Sequence, residues 1–286
     1  MRYEAPESLE GAVALLTGAT GEAKVLAGGT DLLVQMRADL VDPELIVDIK
    51  KIAETRAITE EKGGWRIGAA VTGAELKEHA RLKKTWPGVV EAANLIGSTQ
   101  VQGRATMGGN LCNGSPAADS VPSLIAAGAV ATLAGPKGKR DLPVEDVMLG
   151  PRKLALTKGE IVVSFLLPPR PPRSSDAYLR FIPRTEMDIA VVGAGVSLTL
   201  DGGGTITAAR VSLGAVAPRV LLVAEAAQAI VGSRLDKAAQ DRLEAAARAA
   251  CRPIDDKRGT IEFRTDVAAV LTRRTALIAL DRARTS

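Results

Sequence analysis

The stretch that decides the fold is Val25-Leu26-Ala27-Gly28-Gly29-Thr30-Asp31-Leu32-Leu33. It runs from a short apolar segment, through two adjacent glycines, into the start of a predicted helix. A turn without Cβ atoms exposes its main-chain N–H groups, and a helix start adds partial positive charge, so the stretch is suited to holding an anion. A tight turn with Asp31 as the helix N-cap explains the same residues. The stretch matches neither G-x-G-x-x-G nor G-x-x-x-x-G-K-[ST], which disfavours a Rossmann or Walker site.

A second polar stretch lies at residues 106–120 and reads Thr-Met-Gly-Gly-Asn-Leu-Cys-Asn-Gly-Ser-Pro-Ala-Ala-Asp-Ser. Nearly all of its side chains are small or form hydrogen bonds, so it is poorly suited to a core and well suited to lining a polar ligand site. An irregular surface loop would have the same composition. Two such loops in one region favour a long ligand with two phosphates that lies across both.

The composition excludes several classes of function. The chain has 286 residues, enough for about two domains at roughly 150 residues each, and a net charge of +4 with both signs interspersed. Its two cysteines and single histidine cannot form a Cys-rich zinc site or hold an iron–sulfur cluster. Three phenylalanines, two tryptophans and two tyrosines offer little for stacking nucleic-acid bases, so nucleic-acid binding is not expected.

The ends and the apolar stretches of the chain predict its location. The N-terminus carries acidic residues where a secretory signal has basic and then apolar ones. The longest apolar stretches, such as 124–134 and 189–196, fall short of the ~20 residues that span a bilayer. We therefore expect a cytoplasmic protein with reduced thiols and no integral membrane segment.

Four prolines within residues 168–172 predict a linker over residues 168–175, since proline neither continues a helix nor donates to a sheet. Before it, strands and helices are mixed, and Thr72 with Glu75 predicts a helix with a capping box. After it, two strands flank the turn at residues 201–204, and helices are predicted at 236–250 and 265–283. The second half is therefore a small antiparallel sheet followed by helices, which is an α+β arrangement.

The two loops together carry a resemblance to a known family. The segments 27–32, 106–110 and 115–120 resemble the paired FAD loops of the flavoprotein subunits of molybdenum hydroxylases, which include carbon monoxide dehydrogenase and xanthine dehydrogenase. Either loop alone is weak evidence, whereas the pair in this order and spacing is specific. The resemblance covers most of the chain, and the further similar segments are 159–163, 178–190, 253–264 and 270–274.

The resemblance implies a fold and a division into domains. It implies an α+β protein with a two-loop FAD-binding domain of the vanillyl-alcohol-oxidase/PCMH type at residues 1–170. A C-terminal domain like that of the CO dehydrogenase flavoprotein, with a small antiparallel sheet and helices, is expected at residues 176–284.

The resemblance also implies a cofactor, FAD, bound non-covalently between the domains. The first loop would hold its diphosphate, and Thr106, Gly109 and Asn110 would contact its phosphate and sugar region. Asp119 would accept a hydrogen bond from a hydroxyl or ring donor. Val162 would pack on the isoalloxazine face, and Arg180 would lie near its polar edge. The predicted FAD-binding residues are Leu26, Ala27, Gly28, Gly29, Thr30, Asp31, Leu32, Leu33, Thr106, Gly108, Gly109, Asn110, Asp119, Val162 and Arg180.

Three residues have simpler readings than a role at the flavin. Lysine is common in the family at the position of Arg180, so an exposed strand charge remains an alternative there. Cys112 lies inside the second loop, where a packed small residue is favoured over a flavin-reactive thiol. His79 is expected to be a solvated histidine at a helix end rather than a site of covalent flavin attachment.

The function that the resemblance implies is electron transfer within a multi-subunit oxidoreductase. A large partner subunit would carry molybdopterin and a small one 2Fe–2S clusters, assembled as a dimer of heterotrimers. FAD takes electrons singly and delivers a pair, so this chain would pass them to an external acceptor. The 4-hydroxybenzoyl-CoA reductase type, which carries an extra four-iron cluster on this subunit, is excluded because its cysteine-bearing insertion is missing. The substrate and the acceptor stay open.

Two other functions are carried as alternatives. A stand-alone FAD oxidase or dehydrogenase of the vanillyl-alcohol-oxidase type usually has histidine or tyrosine bases, which this chain nearly lacks. A flavin-free assembly subunit would not need the glycines at 28, 29, 108 and 109.

Overall fold

The computed structural model describes all 286 residues as an α+β chain, which confirms the predicted fold class. Its first unit is a three-stranded parallel sheet in the order β1-β3-β2. The elements are β1 (Arg2–Glu4), α1 (Leu9–Gly18), β2 (Ala23–Leu26), α2 (Leu32–Arg37) and β3 (Leu45–Asp48). The hydroxyl of Ser8 accepts a hydrogen bond from the N–H of Gly11 and so starts α1. This unit places the paired glycines directly after β2.

The second unit is a five-stranded antiparallel sheet in the order β4-β5-β10-β6-β7. Its elements are α3 (Ala53–Arg56), β4 (Ile58–Glu61), β5 (Gly64–Gly68), α4 (Gly73–Glu78), α5 (Ala80–Thr85), α6 (Pro87–Ala93), α7 (Met107–Cys112), α8 (Val121–Ala126), β6 (Val130–Gly135), β7 (Gly138–Pro143), α9 (Val144–Val147), β8 (Met148–Gly150), β9 (Lys153–Leu154) and β10 (Ile161–Leu167). Strand β10 is the last of these strands in the sequence, yet it pairs in the centre of the sheet. The predicted capping box of Thr72 and Glu75 is confirmed at the start of α4.

The third unit is a four-stranded antiparallel sheet in the order β11-β12-β13-β14. Its elements are β11 (Ser174–Phe181), β12 (Val192–Leu200), β13 (Ile206–Gly214), β14 (Leu221–Leu222), α10 (Ala224–Gln228), α11 (Lys237–Ala250) and α12 (Ile261–Thr285). The predicted hairpin turn is confirmed, and the Asp201 carboxylate accepts hydrogen bonds from the N–H groups of Gly203 and Thr205. Gly204 supplies the positive φ of that turn, +81°.

The third sheet lies between helices on both faces. Successive side chains on a strand point to opposite faces, and Ala194, Val196 and Leu198 belong to the core that also contains the buried residues of α12. On the opposite face, a Cβ on Gly195 would lie 2.6 Å from the carbonyl oxygen of Pro122 at the start of α8. Glycine there lets α8 approach the sheet closely, so the second unit packs directly on the third.

The predicted linker is wrong at its C-terminal end. Ser174 and Ser175 are buried and begin β11, where they pair with Thr199 and Leu198 of β12. Both serines follow the last proline, so their N–H groups are free to join a sheet. The linker therefore ends at residue 173.

Arg170 fastens this linker to both neighbouring units. Its guanidinium is buried, donates to the Asp176 carboxylate over 2.8 Å, and stacks 4.1 Å from the centre of the Trp86 ring. It also donates to the carbonyl of Thr85. The other oxygen of Asp176 accepts the N–H of Val89 over 3.0 Å. A buried ion pair with these added hydrogen bonds holds α6 and β11 in one arrangement.

The longest helix, α12, carries charged and polar residues along its length and is not uniformly apolar. Arg264 in its first turn is buried and donates to the carbonyl of Val191 over 2.9 Å and to Asp256 over 2.6 Å. Across the structure, no helix combines the length and the apolar character that crossing a membrane requires.

Candidate functional site

The glycine loop, residues 27–31 between β2 and α2, keeps its main-chain N–H groups free. None of the six consecutive N–H groups from Ala27 to Leu32 donates to a main-chain carbonyl. Gly29 has a φ of +79°, a backbone conformation that is strained in residues with a Cβ atom, and the loop turns at this position. The side chain of Asp31 forms no cap on α2, so a capped turn does not explain the loop. Free N–H groups around a concave turn form a binding place for an anion.

Gly28 is the point where the two predicted loops meet. A Cβ at this position would lie 2.0 Å from the carbonyl oxygen of Arg104 and 3.2 Å from the Cα of Ala105. The main chain of the glycine loop therefore rests directly on the main chain that leads into the second loop. The contact between the two loops is therefore sufficient by itself to require glycine at position 28.

The second loop enters α7 through Thr106, whose hydroxyl accepts the N–H of Gly109 over 3.0 Å. A Cβ on Gly108 would lie 2.4 Å from the carbonyl oxygen of Ala69, so glycine lets α7 pack against the end of β5. A Cβ on Gly109 would meet only the Thr106 hydroxyl, at 3.1 Å. The N–H groups of Thr106 and Gly108 donate to no main-chain carbonyl, so this loop adds further free donors.

Asn110 is oriented by Ser120 at the other end of the second loop. Its Oδ1 accepts hydrogen bonds from the N–H of Ser120 over 2.9 Å and from its hydroxyl over 2.8 Å. With the acceptor end used in this way, the NH₂ group of Asn110 is left as a donor. Asn110 lines the same space as the glycine loop.

The two loops face each other across a cleft of about 380 Å³. The structure brings most of the predicted residues to it: Leu26, Ala27, Gly28, Gly29, Thr30, Asp31, Leu32, Thr106, Gly108, Gly109, Asn110 and Val162. The rest of its wall is largely aliphatic, with Leu40, Val41, Ile49, Leu154 and Leu156, and it contains no aromatic side chain. The cleft therefore combines main-chain donors with apolar surface, as sites for large organic ligands do.

Three predicted residues do not line this cleft. Leu33 projects from α2 and is 49% exposed. Asp119 and Arg180 form a buried ion pair over 2.8 Å, between the end of the second loop and β11. Val162 lies in the cleft wall on β10, so the structure does not bring Val162 and Arg180 to one place. The alternative reading of Arg180 as an exposed charge is wrong, since its side chain is 4% exposed.

Burial dominates the electrostatics of the Asp119 and Arg180 pair. It raises the pKa of Asp119 to about 6, although the Arg180 guanidinium lowers it and the Asp31 carboxylate raises it further. Tyr178 lies on the same strand as Arg180, and its buried hydroxyl has no hydrogen-bond partner. Burial also raises the pKa of Tyr178 well above its usual value. A buried hydroxyl without a partner beside an ion pair leaves polar capacity for a ligand group.

Arg152 lines the cleft and was missed by the sequence reasoning. It adopts a φ of +58°, and its N–H donates to the carbonyl of Gly114 over 2.8 Å. A Cβ on Gly114 would lie 2.9 Å from the Cα of Arg152, so the second loop holds this strained turn in place. The guanidinium forms no ion pair within the chain. The position of Arg152 depends on packing between segments that are far apart in the sequence, so no pattern near residue 152 predicts that it lines the cleft.

The surroundings of Cys112 and His79 indicate structural rather than reactive roles for both side chains. Cys112 opens onto the cleft, yet the atoms packed around its sulfur raise the pKa of the thiol to about 12, so it stays protonated at neutral pH. His79 lies between α4 and α5 and is only half-buried. Its Nδ1 accepts the N–H of Leu82, and its ring packs edge-on against Trp65 at 5.0 Å. The predicted helix-end position is confirmed, with packing on Trp65 in addition.

Comparisons with known proteins agree along the whole chain. The sequence family described as the FAD binding domain in molybdopterin dehydrogenase matches residues 1–170, and the CO dehydrogenase flavoprotein C-terminal domain matches residues 177–279. The carbon monoxide dehydrogenase medium chain of Afipia carboxidovorans is 36% identical over 272 residues, covering 95% of this chain and 94% of the relative. The xanthine dehydrogenase FAD-binding subunit of Escherichia coli O157:H7 is 32% identical and covers 95% and 93%. A solved structure, the reconstituted CO dehydrogenase from Oligotropha carboxidovorans, superposes with a TM-score of 0.94 at 35% identity, covering 99% of this chain and 98% of the other.

The contact at Gly28 yields a prediction about stability. Gly28→Ala places a methyl group inside the van der Waals radius of the Arg104 carbonyl oxygen, and we expect it to lower the free energy of unfolding by about 1–3 kcal/mol, as overpacking does. Gly103→Ala is the matched control, because a Cβ there has nothing within 4 Å. Urea unfolding of both variants measures the effect, and equal stability of the two would contradict the contact.

Proposed function

This chain belongs to the FAD-binding subunits of the molybdopterin dehydrogenases, within the molybdenum hydroxylase family, and on that basis we propose that it passes electrons from the 2Fe–2S clusters of a partner subunit through FAD to an external acceptor. The observation that carries the proposal is the run of six N–H groups without main-chain acceptors in residues that line the cleft. Such donors suit a diphosphate, whose charge is spread over several oxygens. When bound, FAD supplies the ability to take electrons singly and to give up a pair.

The residues of the cleft fit this cofactor part by part. The glycine loop would donate its N–H groups to the diphosphate, and Thr106, Gly108, Gly109 and Asn110 would add donors from the second loop. The aliphatic wall that includes Val162 would cover a flat apolar ring and exclude water from it. Outside the cleft wall, the Asp119 carboxylate would accept a hydrogen bond from a hydroxyl or ring donor that reaches beyond the cleft, with Arg180 holding that carboxylate in place over 2.8 Å.

The proposal includes partners, because this chain carries few residues that bind clusters. Its two cysteines lie on separate units, Cys112 in α7 and Cys251 after α11. The clusters would therefore reside on a small 2Fe–2S subunit and the molybdopterin on a large subunit, arranged as a dimer of heterotrimers. The relative from Afipia carboxidovorans is named a medium chain, which supports an assembly of this kind. Free cysteines fit a reducing compartment, and we place the complex in the cytoplasm.

A division into two domains belongs to the same proposal. We assign residues 1–170 to an FAD-binding domain and residues 176–284 to a C-terminal domain. The apolar core of the third sheet with α11 and α12 is separate from two other cores, whose residues all lie in the first 170 except Val220, and this separation supports the division. The cofactor would then lie near the junction, with Asp119 from the first domain and Arg180 from the second.

Flavin retention tests the proposal directly. The purified chain is expected to be yellow and to release FAD near stoichiometrically on denaturation. Gly109→Leu should abolish this retention while preserving the fold, because position 109 faces the cleft. Gly202→Leu, in the exposed hairpin turn where a Cβ has nothing within 4 Å, is the control. Absorbance spectra of the purified variants measure how much FAD each retains. A colourless wild-type protein that takes up no added FAD would overturn the proposal.

FAD binding is expected to depend on pH through ionisation of the Asp119 carboxyl. The ionised carboxylate accepts a hydrogen bond from the cofactor more strongly than the neutral carboxyl does, so FAD binding should be strongest above the pKa of about 6. Below that pKa we expect the affinity to fall by up to about tenfold per pH unit, because binding then requires release of a proton. Asp119→Asn should bind FAD more weakly and without this inflection. Fluorescence titration of the wild-type and Asp119→Asn apoproteins at several pH values measures the FAD affinity of each. A pH inflection that persists in Asp119→Asn would show that another group is responsible for it.

Purification from the native host tests the partners. A tagged chain is expected to bring down two further polypeptides together with molybdenum and iron, detected by mass spectrometry and elemental analysis. A chain that purifies alone and oxidises an organic substrate would favour the stand-alone oxidase. A complex that contains the chain but no flavin would favour an assembly subunit.

A further inference from the structure

We propose that Lys50 is a positioning residue for the diphosphate of FAD, acting through the main chain of the glycine loop with the support of Asp48 and Tyr3. The ammonium group of Lys50 donates to the carbonyl oxygen of Ala27 over 2.9 Å. Lys50 itself is not part of the cleft wall and lies in a polar hollow with Arg56 and Arg104. Its influence on a ligand in the cleft is therefore transmitted through the loop. The inference rests on the proposed function, since it concerns the same cofactor.

The geometry of the peptide bond explains how a bound carbonyl aims an N–H group. In a planar trans peptide, the carbonyl of one residue and the N–H of the next point in opposite directions. The Leu26 carbonyl accepts the N–H of Ile49 over 3.1 Å, which turns the Ala27 N–H away from β3. The Ala27 carbonyl accepts from Lys50, which turns the Gly28 N–H away from Lys50 in the same manner. Two of the six free donors are thus oriented by bonds on the back of the loop.

Lys50 is in turn held by a buried acid. Its ammonium group lies 2.8 Å from both carboxylate oxygens of Asp48, and its own N–H donates to Asp48 over 3.0 Å. The hydroxyl of Tyr3, in β1, donates to Asp48 over 2.6 Å. Burial opposes ionisation of Asp48, but the hydrogen bonds from Lys50 and Tyr3 outweigh it and lower the pKa of the carboxyl. A charged, multiply bonded pair of this kind fixes the position of the ammonium group.

Binding of cofactor fragments to the apoprotein separates this role from general damage. Lys50→Met should weaken binding of FAD and of ADP by at least about tenfold, because both carry the diphosphate. Binding of adenosine and of riboflavin should stay within about twofold of wild type, since neither contains a diphosphate. Isothermal titration calorimetry measures all four ligands. Lys50→Arg, whose guanidinium can still donate to Ala27 and Asp48, should restore most of the affinity.

Two further variants complete the experiment. Lys51→Met removes the exposed neighbouring lysine and should bind ADP as wild type does. Lys50→Met with Asp48→Asn leaves no unpaired carboxylate buried, so it guards against a failure to fold, and it should show the same loss of ADP binding. The inference is overturned if Lys50→Met binds ADP normally, or if it loses adenosine and riboflavin to the same extent as ADP. A wild-type protein that binds no FAD at all would instead refute the proposed function.

Discussion

The site depends on one contact between two stretches of main chain, at Gly28. Any side chain there would meet the carbonyl of Arg104 at 2.0 Å, so only glycine lets the two loops close on each other. Close packing of main chain leaves little room for adjustment, because a peptide group has no rotamers with which to relax. Once the loops are in contact, residues of both line one cleft. The shared cleft is therefore a consequence of loop packing, which glycine at position 28 permits.

The same constraint extends to the C-terminal unit through α8. The second loop leads from Asn110 to Ser120, the residue before α8, and the carbonyl of Pro122 in α8 lies against Gly195 of the third sheet. Asp119, between these two points, forms its ion pair with Arg180 of β11. A displacement of the third sheet would therefore shift the second loop as well. This continuity gives a physical reason why a site built mostly from the first 170 residues would require the C-terminal unit to be docked.

The predictions from sequence succeeded where the deciding interaction is local. The capping box of Thr72 and the turn at residues 201–204 each follow from residues a few positions apart. They failed where distant segments decide. No residue near Arg152 in the sequence indicates that Gly114 holds it at the cleft. Similarly, Ser174 follows a proline-rich linker, and only its pairing with β12 makes it part of a strand.

Recognition by main chain explains which parts of the site were visible in the sequence. A peptide N–H is present at every position except proline, so a loop that binds through such groups constrains its own side chains only where space or φ requires glycine. The glycines are therefore the local signal, and the residues that orient the loop from behind carry none. Asp48 is the last residue of β3 and Lys50 follows it, in a stretch that reads as an ordinary strand end, whereas Tyr3 lies far away in the sequence, in β1. Their relation to the cleft exists only because β1 and β2 both pair with β3, which brings one hydroxyl, one carboxylate and one ammonium group beneath a single carbonyl.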